Sequence, residues 1–189
     1  MVEKPLNSSH HMVIDYASNG MRSDFMDIYL GAKCAFCLSS YTGYDSVSAI
    51  FRRPLAFVDH APLGYLVTYQ QTTIGIVKRH VNTIEDQKLS LKETLASGVA
   101  FALRDSSYES KGMWLIDNTP EEIRDVVIEM DERLNGTWQP HEDDDRLQQK
   151  FWEIFPTDSL DRGKGKPLHG EIKSRFGASF LRNNRWWLE

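Results

Sequence analysis

Apolar and polar positions alternate along the first third of the chain in a way that predicts a repeating strand and helix order. The run around Val13, Ile14 and Tyr16, within residues 11–17, predicts a short first strand ending at Asp15. Ser23 then caps a helix whose Phe25, Ile28 and Tyr29 recur at three- and four-residue spacing. The apolar run from Cys34 to Leu38, closed by Ser39 and Ser40, predicts a buried strand. In the following turn Gly43 gives the backbone freedom and Thr42 and Asp45 are suitable helix caps. Val47, Ile50 and Phe51 give the next helix an apolar face, Arg52 and Arg53 close it, and Pro54 forbids its continuation. Leu55 to Val58 resume a strand, so residues 13–58 read strand, helix, strand, helix, strand, the order of a parallel sheet with right-handed crossovers.

The pattern weakens over residues 60–87, which read as a long loop with short extended pieces. Ser90 to Glu93 is a capping box that opens a short helix stopping at Gly98. Met113 to Ile116 reads as a last short strand. A stronger capping box, Thr119 to Glu122 with Pro120 inside it, opens a helix whose Ile123, Val126, Val127, Met130 and Leu134 form a stripe, with Glu129 facing Arg133 and Asn135-Gly136 ending it. Capping accounts for Glu121 and Glu122. The acidic run Glu142 to Asp145 resembles a cation site but stands at the front of a helix carrying Leu147, Phe151, Ile154 and Phe155, where acidic residues are favourable. Asp161 to Pro167 reads as a flexible basic linker. Residues 171–184 predict a terminal helix with Ile172, Phe176 and Phe180 on one side, and Trp186 and Trp187 anchor the end by packing.

Composition narrows the function. The 189 residues suffice for one good core, and 41% hydrophobic with 26% charged residues is ordinary for a globular protein. A formal charge of −5 argues against broad nucleic-acid binding. No stretch is apolar enough for a transmembrane segment, and the start lacks a signal peptide's apolar block, so the expected compartment is the cytoplasm. Cys34 and Cys37 have the spacing of redox and zinc sites, but inside a strand an offset of three sends them to opposite faces, which favours packing.

Candidate chemistry lies on the central unit. A loop of hydroxyls and glycine between a strand and a helix turns backbone N–H groups toward the sheet's carboxyl edge, where an anion gains from them and from the helix dipole. Parallel sheets bind ligands at that edge, so Ser39, Ser40, Thr42, Gly43 and Asp45 lie where a nucleotide would sit, although ordinary capping also explains such a cluster. The loop at 18–23 opens on the same edge and brings Arg22. Asp59 and His60 end the next strand there, and either has proton-transfer chemistry.

Several blocks taken together carry a resemblance: VIDYA (13–17), RSDFMDIYLGAKC (22–34), SSYTGYD (39–45), IFRRP (50–54), NTPEEI (118–123) and GEIKSRFGASFL (170–181). In this order and spacing they resemble the carboxyl-terminal half of a family of bacterial glycosyltransferases associated with surface-polysaccharide synthesis. The resemblance implies an α/β, Rossmann-like parallel-sheet domain, the carboxyl-terminal half of a GT-B architecture, over residues 1–140, with helices of 141–189 packed on it as an extension. It implies a nucleotide-diphosphate sugar as ligand, with Ser40, Thr42, Gly43 and Asp45 at the diphosphate and Arg22 and Ser23 near the base or ribose. No metal and no cofactor is expected. The amino-terminal half, which meets the acceptor and supplies the base, is expected to be missing from this chain. Two alternatives share these residues: a non-catalytic interaction domain left from such an enzyme, and a nucleotide-sugar epimerase-like domain.

Overall fold

The computed structural model describes residues 5–155 and 171–189. Its centre is a four-stranded, wholly parallel sheet made of β1 (Cys37–Ser39), β2 (Leu55–His60), β3 (Thr73–Val77) and β7 (Arg175–Phe176), in the spatial order β1-β2-β3-β7. Register runs Ser39 to Phe57 to Gly75 to Phe176 across the sheet. The central strands β2 and β3 are apolar along most of their length and buried on both faces, as parallel strands covered by helices on either side require.

One face is covered by α5 (Pro120–Asn135), whose Val126 and Met130 join Ala56, Val58, Ile74 and Ile76 in the core. The reasons for α5 are those legible in its sequence. Thr119 and Glu122 close a reciprocal capping box, Pro120 opens the first turn, and Gly136 takes the left-handed conformation that ends it. Gly177 lets α5 and the sheet close, since a β-carbon there would lie 2.7 Å from Ile76 Cγ2 and 3.3 Å from Val126 Cγ2. A second, antiparallel sheet of order β5-β4-β6 is built from β4 (Arg79–Asn82), β5 (Gln87–Lys88) and β6 (Met113–Ile116). Only Lys78 separates it from β3. Between these strands lie α3 (Leu91–Ala96), opened by the Ser90–Glu93 capping box, and α4 (Asp105–Glu109).

Several expectations change. Residues 11–17 are turns rather than a strand, because Met12, Val13 and Ile14 face solvent and find no sheet to join. The stretch 60–87, read as a long loop with short extended pieces, holds β3, a central strand of the parallel sheet, and β4. Residues 171–184 do not form one helix. Phe176 lies in strand β7, and only α7 (Ala178–Asn183) is α-helical, followed by a 3-10 turn over Arg185–Leu188. The segment 141–189 is therefore no extension on a finished domain, since it supplies the fourth strand of the sheet. Cys34 lies at the end of α1 (Asp24–Lys33), outside the strand that Cys37 begins; both are free thiols, and burial raises the Cys37 pKa. The basic linker at 161–167 lies outside the described residues.

The acidic run at the front of α6 (Asp144–Ile154) acts as a clamp on the carboxyl-terminal segment. Asp143 pairs with Arg185 at 2.5 Å, Asp145 with Arg175 at 3.2 Å, and buried Asp144 with Arg182. No cluster of His, Cys, Asp and Glu among the described residues could hold a metal ion, and no helix among them is long and apolar enough to cross a membrane.

Candidate functional site

The unit that positions the site is β1, the loop 40–44, α2 (Asp45–Ile50) and β2, and β1 and β2 run parallel. The loop is organised by Ser39. Its hydroxyl donates to Asp45 Oδ2 at 2.8 Å and accepts from the Tyr41 and Thr42 amides at 3.1 and 3.4 Å. Asp45 is therefore held buried at the start of α2 by a side chain from the preceding strand. Tyr41 takes a positive φ of 66°, and its ring lies edge-on to His60 and tilted against Phe57, with centroids 4.4 and 5.4 Å away.

Beside this loop opens a hollow of about 220 Å³. Tyr41, Thr42, Gly43, Asp45 and Ser46 line it from the loop and the start of α2, Tyr69 also lines it, and Leu55 and Phe57 contribute apolar surface from the sheet. A β-carbon at Gly43 would meet nothing within 4 Å, so the loop leaves this mouth open. Burial, Tyr69 and the Asp45 carboxylate all raise the Tyr41 pKa, so its phenol stays protonated. The arrangement offers aromatic surface for a ring and a fixed carboxylate with hydroxyls for hydrogen bonding. Among the described residues no lysine or arginine lines this hollow.

The residues singled out in the sequence separate into groups. Thr42, Gly43 and Asp45 line the hollow, with Ser39 behind them holding Asp45. Ser40 is exposed on the loop without lining it. Ser23 caps α1 by accepting from the Met26 amide at 3.2 Å, and exposed Arg22 pairs with Asp27 at 3.5 Å. α1 packs on α2 through Gly31 and Val47, so Arg22 and Ser23 stand outside the hollow. Asp59 is committed to structure: it exchanges two hydrogen bonds with Asn118, at 2.5 and 2.6 Å, and Asn118 Nδ2 also donates to the Val77 carbonyl at 2.9 Å. Among the lining residues that carry a hydroxyl, Tyr41, Ser46 and Tyr69 were not singled out. Tyr69 lay in a stretch read as loop, and its one signal was an aromatic residue set among polar ones just before an apolar run.

His60 lies behind Tyr41 and is 1% exposed. It borders a narrow space of about 10 Å³, room for one water at most, rather than the wider hollow. Neither ring nitrogen makes a hydrogen bond of good geometry among the described residues, and burial lowers the pKa to about 4, offset only in part by the Pro62 carbonyl. His80, beside Tyr108 in the second sheet, is likewise lowered to about 4 by burial. Both stay neutral in the fold while the unfolded chain takes up protons below pH 6.5, so stability is fully present above that pH and falls as pH drops toward 4. Burial raises the pKa of the Glu129 carboxyl and acts in the opposite sense. From pH 7 to 5 each histidine is expected to remove about 1–2 kcal/mol. Urea denaturation at the two pH values measures it, and His80→Phe should reduce the slope. A pH-independent midpoint contradicts this account.

Comparison of this chain with known protein families, with curated proteins and with solved structures gives no match.

Proposed function

We propose that this chain is the donor-binding domain of a glycosyltransferase that uses a nucleotide-diphosphate sugar in surface-polysaccharide synthesis. It works in the cytoplasm, together with an amino-terminal acceptor-binding half. The observation that carries this reading is the hollow beside the parallel β1-α2-β2 unit, where Ser39 fixes the Asp45 carboxylate in a lining that also holds Tyr41 and Tyr69. Ligands of parallel sheets gather at the loops that follow the strands, and the loop after β1 borders this hollow. An aromatic wall takes the face of a sugar or base, while a buried carboxylate accepts hydrogen bonds from ring hydroxyls at a strength that neutral groups do not match.

In the transfer, the bond between the anomeric carbon and the diphosphate oxygen breaks as the acceptor hydroxyl forms its own bond to that carbon. The hydroxyl's proton passes to a base on the acceptor half, and the diphosphate leaves with the bonding electron pair. Asp45 and Thr42 would orient the donor for this step. The acceptor half closes the hollow from the open side and excludes water.

Titration calorimetry with UDP, GDP, CMP and their sugars tests the reading. At least one nucleotide sugar should bind, and Asp45→Ala should weaken it about 10- to 100-fold by removing a charge-assisted hydrogen bond. No binding by any of them counts against the proposal.

A second reading, a non-catalytic interaction domain, draws on a different observation. Phe25 is 72% exposed and Ile50 77% exposed, and Ile28, Tyr29 and Phe51 are exposed beside them on α1 and α2. Apolar stripes that face solvent on two neighbouring helices are the composition of a contact surface.

A further inference from the structure

The hollow beside Asp45 continues into a second one. Ala49 and Tyr69 border both, and the second, about 550 Å³, is lined at its far end by Arg52, Gln71, Thr72 and Lys173. The two ends differ in charge: a carboxylate with hydroxyls at one, two cations with amide and hydroxyl groups at the other.

Arg52 occupies an unusual place. The backbone closes α2 with paired bonds, Arg52 N–H to the Ala49 carbonyl and Arg53 N–H to the Ser48 carbonyl, both 2.9 Å. In that motif the residue after the cap takes the left-handed conformation, where glycine is the usual occupant. Arg52 takes it with φ 55°. Its neighbour Arg53 is used structurally: its Nε donates to the Cys34 carbonyl at 2.6 Å, and its own carbonyl accepts from Gln70 at 2.7 Å. Arg52 is exposed and makes no ion pair among the described residues. An arginine held at a glycine position without a partner in the fold points to a role outside it. Lys173 stands in the same wall and carries Glu171 at 3.2 Å, so Arg52 is the principal free cation there.

We infer that this end of the groove is a phosphoryl subsite, with Arg52 as its anchor and Lys173 as its second cation. This rests on reading the groove as a nucleotide-sugar site and reverses the orientation that the loop alone suggests. The Tyr41 and Thr42 amides already have an acceptor in Ser39, and a diphosphate beside Asp45 would meet a like charge. At Arg52 it meets a guanidinium suited to bidentate contact with phosphate oxygens. Asp45 opens α2 and Arg52 follows its cap, seven positions further on, roughly 10 Å at helical rise. That span suits a two-ended ligand with its ring between Tyr41 and Tyr69 and its diphosphate on Arg52.

The test uses the full chain with two probes, inorganic pyrophosphate and a panel of nucleoside-diphosphate sugars, read by calorimetry and by nitrogen-15 NMR. Pyrophosphate should shift the resonances of Arg52, Gln71 and Lys173. Arg52→Gly should weaken both probes at least tenfold while the melting temperature stays level or rises, because glycine adopts this φ without strain. Arg52→Gln, which keeps the side chain's bulk, should lose affinity alike. Unchanged binding of nucleotide sugars in both variants overturns the subsite and leaves the donor reading intact. Pyrophosphate shifts confined to residues 40–44 also overturn it. Arg52-dependent pyrophosphate binding without binding of any nucleotide sugar upholds the subsite and removes the donor reading.

Discussion

Replacing Trp187 with alanine is expected to lower the unfolding free energy by about 3–5 kcal/mol, the range for a buried aromatic whose loss leaves a cavity. Trp187 is 1% exposed and packs against rings from three elements: Phe151 of α6, Phe176 of β7 and Phe180 of α7, with centroids 5.9, 5.5 and 5.6 Å away. These rings seat the fourth strand of the parallel sheet, so the empty volume opens where the chain's last segment joins the core. Its indole N–H has no hydrogen-bond partner among the described residues, so the effect is one of packing, and Trp187→Phe should cost less than Trp187→Ala. Against a total stability of about 5–15 kcal/mol, the alanine variant loses a large share of its folded population. Urea midpoints for both variants measure this. A loss below about 1 kcal/mol in the alanine variant contradicts the central place given to the aromatic cluster.

Arg79→Leu is expected to be comparably severe, about 3–5 kcal/mol, because it strands the charge of Glu122 in a nearly buried setting. The side chains of Arg79 and Glu122 are 7% and 12% exposed and form a close ion pair. Arg79 also donates to the Asp117 carbonyl at 3.3 Å and lies 5.9 Å from the Phe180 ring centroid. Glu122 serves α5 as well, accepting the Thr119 amide in the capping box at 2.8 Å. Glu122→Gln keeps an oxygen for that amide and removes the charge. The double variant Arg79→Leu, Glu122→Gln should therefore recover part of the loss, which thermal denaturation of the single and double variants measures. If the double variant is less stable than Arg79→Leu alone, the penalty is not the stranded charge.

What the sequence shows and what it hides follow from how far each element depends on its neighbours. The helix opened by Thr119 and closed by Gly136 carries its own start, stripe and stop, so local chemistry defines it. The strand, loop, helix and strand from Cys37 to His60 were legible for the same reason: Gly43 and Pro54 punctuate it. Strand β3 escaped because Thr73 to Val77 is a short run without alternation, the pattern of a strand buried on both faces, which periodicity alone does not separate from a loop with apolar residues. Strand β7 escaped because Phe176 and Phe180 keep helical spacing although one lies in a strand and the other in a helix. At the site, Thr42, Gly43 and Asp45 were found because loop residue types are informative. Arg52 and Tyr69 were not placed there because what brings them to one groove is the packing of α2 beside residues 66–72, a tertiary fact without a local signal.

The order of strands in space bears on how a ribosome delivers this chain. β3 is synthesised long before β7, its partner on one side, and Trp187 emerges later still. In that interval the nascent polypeptide presents an unsatisfied β-edge and, once α6 is made, uncovered Phe151 and Phe155, so the sheet stays incomplete until residues 175–188 emerge. Slow synthesis over residues 140–188 should therefore prolong chaperone occupancy rather than assist folding.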